Sequence, residues 1–401
     1  MTKTVKTDHE TAASNGPGPL RISAESMCSP EYFQKEMDTV FKKTWLNVGR
    51  VDELPDVGNY IIKEFKALNT SVLIVNTPDG IKAYHNVCPH RGNKLVCRNS
   101  SGRSKTFTCG FHGWSFDYNG LLRGVPDEQG FKDFDKSKHG LASIHADVWY
   151  GFVFINFAKK PKVSLAKSLE KATDFFEGFD FGALKVSWAK SVELECNWKV
   201  AMDGFLEQYH FAFIHQTTVA DAFLDKANPY GKLDWHEYWG DNAICSILGN
   251  PSPDPTPVEK VLRGKNGIGN NKWVNTVGKG MNPMKDPNWM LDSMVFFPMF
   301  LIQPRPGGFN AWWFWPISAT KSIFEFRRYE HPATNAGELF AQEHYKSIVR
   351  DTFLQDLSAF ENTQSVMNSG AYTHFDLNHS EGRVAHLHNT IDKYISEVDE
   401  P

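Results

Sequence analysis

Several common signals are scarce or missing in this 401-residue chain. No apolar run approaches the ~18 residues of a membrane-crossing helix, so a membrane span is not expected. Cysteine is sparse, six residues at scattered positions, which excludes the dense disulfide framework of a small secreted domain. Charge of one sign is also lacking. The 43 basic and 47 acidic side chains leave a formal net charge of −4 with no extended basic field, so nucleic acid is not an expected partner. No G-x-G-x-x-G fingerprint or flavin motif is evident. The first 19 residues are polar, carry Gly, Pro and Ser, and lack the apolar core of a secretory signal; they read as a flexible tail, and the expected location is the cytoplasm. Aromatic residues, in contrast, are plentiful, with 30 Phe and 12 Trp. Most belong in a core, and a minority can line an apolar pocket.

Two short motifs carry the first chemistry: Cys88-Pro89-His90 and Cys109-Gly110-Phe111-His112, separated by 18 residues. Each supplies one thiolate and one imidazole, the ligand set of a Rieske [2Fe–2S] centre, in which two Cys hold one iron and two His hold the other. The surrounding CPHRG and CGFHGW runs place glycines where backbone approaches the cluster. Zinc also takes two Cys and two His, but a zinc finger pairs Cys with Cys and His with His at short range, whereas here each half mixes them. Rieske proteins of the respiratory type add a cysteine after each half to form a disulfide over the cluster. Asn93 and Phe111 stand at those positions, so that disulfide is not expected. Cys97 lies nearby with no evident partner.

The cluster motifs fall in a segment, 45–160, of short apolar runs (60–62, 71–75, 81–84, 151–155) separated by turn signals such as Pro78-Asp79-Gly80 and Tyr118-Asn119-Gly120. This predicts a small all-β domain with the ligands on two of its loops, preceded by a tail and helical arm over 1–44. In 161–401 helical periodicity occurs around 165–178, 199–213 and 338–362, and strand patterns around 185–195, 294–303, 310–317 and 322–330. The stretch 249–290, rich in Pro, Gly and Asn, is too long for an ordinary connection and reads as a surface insertion or a lid over a pocket.

A second metal site is a candidate in the later segment. His210 and His215 are five residues apart and would diverge on an unbroken helix, so they converge only where the helix bends. In the 338–362 helix, Tyr345, Val349, Thr352, Phe353 and Phe360 form a stripe that contains Asp356, with Lys346, Arg350, Asp351, Ser358 and Glu361 facing solvent. A carboxylate on the buried face is costly unless neutralised, and a bound cation does that. Two His and one Asp make the facial triad that binds Fe(II) and leaves positions open for dioxygen and substrate.

Together, CPHRG, CGFHGW, the Asn197-Trp198-Lys199 to His215 segment and the Gln355-Asp356 helix make the chain, over about 25 to 395, resemble the catalytic α subunit of Rieske non-haem iron aromatic-ring-hydroxylating oxygenases. The resemblance implies an α+β architecture: an N-terminal all-β Rieske domain, then a START-like helix-grip domain with an antiparallel sheet. It implies head-to-tail trimers, a β subunit being left open, with the cluster of one subunit facing its neighbour's iron. An acidic residue three before the first iron His bridges the two sites in that family; Glu207 occupies the position, where Asp is commoner and Glu occurs in branches acting on quaternary amines. NAD(P)H electrons then arrive through a separate reductase, with or without a ferredoxin, and dioxygen is the co-substrate. The product is a mono- or cis-dihydroxylated aromatic or apolar small molecule, or a demethylated quaternary amine. Phe205, Leu206, Phe211 and Phe314 are expected pocket walls. Two readings of other classes compete, a Rieske electron-transfer protein and a ligand-binding module whose cluster senses redox state. The remaining histidines, among them His85, His139, His236, His344, His374, His386 and His388, have no partner at ligand spacing.

Overall fold

The computed structural model describes residues 16–97, 100–265 and 277–399. Each half of the chain is built on a seven-stranded antiparallel sheet. In the first, the spatial order is Leu46–Arg50, Phe152–Asn156, Ser143–Trp149, Gly80–His85, Thr70–Thr77, Asn59–Phe65 and Ser101–Arg103. This sheet is covered on both faces: along Thr70–Thr77, Val72 and Ile74 join one apolar cluster and Leu73 and Val75 another. A three-stranded sheet, Thr106–Thr108, Ser115–Asp117 and Leu122–Gly124, stands beside it, and the two enclose a small core in which Trp114 and Phe116 meet Leu73, Val75 and Tyr84.

The second sheet runs Lys185–Leu194, Lys321–Glu330, Gly308–Ser318, Phe300–Arg305, Trp289–Phe296, Asn242–Leu248 and Trp235–Trp239. The long helix Ala336–Met367 and the C-terminal helix Gly382–Asp399 belong to the same half. The strand expected over 294–303 is a hairpin of two strands. Pro298 has no N–H to continue a ladder, and the chain turns between Phe296 and Phe300. The helix expected around 199–213 is likewise two short pieces, Trp198–Asp203 and Phe211–Ile214. Lys346, expected in solvent, is half-buried and pairs with Glu343 at 2.7 Å. Within 249–290 the chain forms a helix, Pro257–Lys265; residues 266–276 of the expected lid lie outside the described residues. No described helix is long and apolar enough to cross a membrane, and the six cysteines are all free thiols.

One apolar core runs through both halves, joining Leu46, Val72 and Phe152–Ile155 to Phe296, Phe300 and Phe309–Trp315. Polar ties cross the same boundary. Trp313 Nε1 donates to Asn47 Oδ1 at 2.9 Å, Lys63 pairs with Glu325 at 2.9 Å, and Arg327 with Glu53 at 2.6 Å.

The N-terminal arm folds onto the second half. Arg21–Ser23 pairs with His374–Asp376, and helix Pro30–Glu36, capped by Ser29, continues through a π-turn over Met37–Phe41. Glu36 and Lys199, both fully buried, form an ion pair that Trp198 Nε1 supports at 3.4 Å. Breaking such a pair leaves a desolvated charge, whereas removing both charges together costs little. Lys199→Met should therefore lower the unfolding free energy by about 3–5 kcal/mol, and the double change Glu36→Leu/Lys199→Met should recover most of it in denaturant melts. Equal losses in the single and double variants would contradict this.

Candidate metal centres and cavity

Cys88 follows strand Gly80–His85, and Cys109 opens the turn between Thr106–Thr108 and Ser115–Asp117. The two loops are built alike. Gly92 N donates to Cys88 O at 2.9 Å and Gly113 N to Cys109 O at 3.0 Å, with both glycines at positive φ, +74° and +72°. The two thiols are buried within hydrogen-bonding reach of each other. The imidazoles pair separately, with the His90 and His112 ring centroids 4.5 Å apart. Trp114 stacks on His90 at 4.8 Å, and His90 Nδ1 is buried with no partner. Burial opposes ionisation of Cys109, but the Phe111 and His112 amides and the Asn93 side chain outweigh it and hold the thiol below its ordinary value. Asn93 Nδ2 lies 3.6 Å from Cys109 Sγ, so the residue standing where the respiratory type has a cysteine is a donor to the Cys109 sulfur.

Thiols on one side and imidazoles on the other fit a [2Fe–2S] cluster, in which different irons take the two ligand types. A zinc ion needs all four donors around one point. Among the described residues, the three or more metal-ligating side chains whose donor atoms lie within 4.8 Å of one another are His210, His215 and Asp356.

That second group owes its geometry to the broken helix. Asn197 caps the first piece, and Gly204 ends it where Phe360 of the long helix presses in; a Cβ at 204 would lie 2.4 Å from that ring. Asn197 N also donates to Gln364 Oε1 at 2.7 Å. Gln364, Phe360 and Asp356 follow one another at intervals of four on the long helix, so these two contacts set Asp356 opposite the second piece. His210 and His215 flank the single turn Phe211–Ile214, their ring centroids 5.0 Å apart. His215 Nε2 is 2.9 Å and His210 Nε2 3.6 Å from Asp356 Oδ1. Yet His215 Nε2 and Asp356 Oδ1 are both buried without a hydrogen bond of acceptable geometry. Burial pushes the His215 imidazolium down, and the Asp356 carboxylate reverses the sign, holding its pKa above the ordinary value. A point that attracts a proton in this way suits a metal cation.

The far nitrogens of both rings are held. His210 Nδ1 donates to Glu207, whose second oxygen accepts from His210 N at 3.2 Å. His215 Nδ1 donates to Gln355 Oε1 at 2.9 Å, and Thr218 Oγ1 donates to the same oxygen. Each ring is thereby fixed in the tautomer that turns an unprotonated Nε2 toward Asp356.

These residues open on a cavity of about 200 Å³ between the sheet and the long helix. Phe205, Leu206 and Phe211 line it, together with Trp312, Phe353 and Phe223. Phe314 does not. It lies on the same strand face as Trp312 but is packed behind Phe205, 5.4 Å from that ring.

Residues 181–397 match the family model of the ring hydroxylating alpha subunit (catalytic domain), and residues 44–135 that of the Rieske [2Fe-2S] domain. The chain belongs to the ring-hydroxylating α-subunit family. Among curated members it is 30% identical over 184 residues to the glycine betaine monooxygenase oxygenase subunit of Pseudomonas aeruginosa, covering 46% of this chain and 42% of that protein. It is 29% identical over 206 residues to the carnitine monooxygenase oxygenase subunit of Acinetobacter pittii, covering 49% and 53%. The chain thus spans about half the length of the curated relatives it matches. Two solved structures share the fold: a quaternary ammonium Rieske monooxygenase (TM-score 0.72, 20% identity, 93% and 94% covered), and naphthalene 1,2-dioxygenase from Rhodococcus sp. (0.73, 19%, 95% and 95%).

Sequence reasoning missed Asn93, the stacking role of Trp114, and Gln355 as a partner of His215. All three adjoin or lie within the quoted motifs, so neighbours of a ligand were the available signal. Gln355→Leu should weaken Fe(II) binding about 10–100-fold in a ferrous titration against a competing chelator, with the cluster spectrum unchanged; wild-type affinity would refute the role given to Gln355.

Proposed function

We propose that this chain is the terminal oxygenase component of a multi-protein system, oxygenating a small organic molecule with dioxygen and electrons from a separate NAD(P)H-linked reductase. The observation that carries the reading is the convergence of His210, His215 and Asp356, with buried unpaired ligand atoms, on the wall of an apolar cavity. A pure electron carrier needs neither the triad nor the cavity. Cys88, Cys109, His90 and His112 would hold the [2Fe–2S] cluster, and His210, His215 and Asp356 would hold Fe(II). When bound, the cluster supplies electrons singly and the iron supplies open positions at which dioxygen and substrate meet.

The protein's own residues do the rest. Glu207 and Gln355 keep a proton at Nδ1 of His210 and His215, so that each Nε2 stays free to ligate. Phe205, Leu206, Phe211, Phe223 and Trp312 exclude water and orient an apolar or aromatic body beside Asp356. Glu207 is one helical turn from His210 in sequence, and its side chain is 10% exposed, which suits a second hydrogen bond across a subunit boundary. A homotrimer in the cytoplasm, with the cluster of one subunit serving its neighbour's iron through Glu207, completes the reading. Oxygenation or demethylation of a quaternary amine is a second reading, supported by the names of the betaine and carnitine relatives and by the aromatic walls.

Anaerobically purified protein should contain about three irons per two acid-labile sulfides. Asp356→Ala should hold two, with the cluster spectrum intact. Two irons per two sulfides in both proteins, after anaerobic iron addition, would rule out the mononuclear site. Glu207→Ala should retain both cofactors and lose about 10–100-fold in product formation; full activity would remove Glu207 from the electron path.

A further inference from the structure

One guanidinium on the cavity wall has no counter-ion paired with it among the described residues. Arg305, at the end of strand Phe300–Arg305, lines the cavity with its guanidinium 4.4 Å over the Tyr345 ring. Among the described residues it makes no side-chain hydrogen bond or ion pair. Arg328 stands 4.9 Å from the centroid of the same ring, but it is matched by Glu330 at 3.4 Å and Asn310 Oδ1 at 3.1 Å. Two guanidiniums on one aromatic ring, only one of them compensated, make a site short of an anion.

A second observation points the same way. Arg383, 2% exposed, also lines the cavity. Arg383 binds Cys245 Sγ at 2.7 Å and Ser293 Oγ at 3.1 Å, neither of them a carboxylate. A plain hydrocarbon would leave the Arg305 guanidinium unpaired beside it, and a bare quaternary cation would add repulsion from that charge. Glu259 also lines the cavity, its carboxylate held by Thr256 N at 2.7 Å and not by Arg305.

We infer that the substrate of this cavity carries an oxyanion, a carboxylate or its equivalent, bound by Arg305 at the end remote from the metal ligands. The inference rests on the cavity being the substrate site of the proposed oxygenase. Tyr345 precedes Asp356 by three helical turns, about 16 Å of axis, so the anionic group and the carbon that is oxidised lie at opposite ends of the molecule. An aromatic acid and a zwitterionic amine both satisfy this; an unsubstituted arene and a simple quaternary ammonium do not. Arg is suited to the task because its planar fork pairs with both oxygens of a carboxylate.

Titration calorimetry of the cluster- and iron-loaded protein would use four probes: 4-phenylbutanoate, 3-phenylpropane-1-sulfonate, 4-phenylbutanamide and (3-phenylpropyl)trimethylammonium. The two anions should bind about tenfold or more tightly than the amide, and the cation weakest. Arg305→Gln should erase that preference, and Arg305→Lys should keep part of it, both with the wild-type cluster spectrum. Equal affinities for anions and amide, a preference that survives in Arg305→Gln, tightest binding of the cation, or no binding of either anion would each overturn the inference. Dioxygen uptake with the same probes, by protein whose cluster and iron have first been reduced with dithionite and freed of excess reductant, separates the two readings. Arg305-dependent binding without uptake would keep the anion site and sink the oxygenase, and uptake without anion preference would do the reverse.

Discussion

A buried carboxylate that faces two imidazole nitrogens without a proton properly shared between them is the constraint around which the second half of this chain is arranged. Asp356 sits on the covered face of the long helix, where an unpaired charge is expensive. Two contacts hold it there: Phe360 seated in the gap at Gly204, and Gln364 bound to the backbone of Asn197. The same two contacts place the break in the opposing helix, and the break lets histidines five residues apart converge. Rotating the long helix would bury the charge without its partners, so packing and metal geometry select the same arrangement.

The ligands were readable in the sequence because residue type and spacing suffice for them: two Cys-His pairs, and an Asp inside an apolar stripe. The helix break was readable only as a condition for convergence, since Gly204 looks like an ordinary glycine until Phe360 arrives from 156 positions away. The choice of Phe314 as a pocket wall identified the correct strand face but the wrong depth; alternation tells which side a residue faces and not how far along the strand a cavity reaches. The strands Trp235–Trp239 and Asn242–Leu248 went unread, as did the C-terminal helix, although Val384, Leu387, Ile391 and Ile395 form a helical stripe. The electrostatic character of the cavity was beyond sequence reasoning, because it depends on which arginines find partners. Arg328 has Glu330 two residues along its own strand; Arg305 has a tyrosine ring.

The cavity is therefore polarised along the long helix. One end gathers Asp356 and Glu207, and the Arg305 guanidinium stands over Tyr345, three helical turns away on the same helix. Aromatic rings occupy the length between. Such a gradient orients a substrate before any chemistry begins, which in enzymes is a large part of the rate advantage.

The core that runs unbroken through both sheets, tied across by Trp313 to Asn47, Lys63 to Glu325 and Arg327 to Glu53, has a kinetic meaning. Domains joined by a large apolar interface move as one body. The loops of Cys88 and Cys109 and the group of His210, His215 and Asp356 are then held at a fixed separation within one chain. Any motion that changes the spacing between such groups in two neighbouring chains has to come from the interface between the chains, and not from within either one.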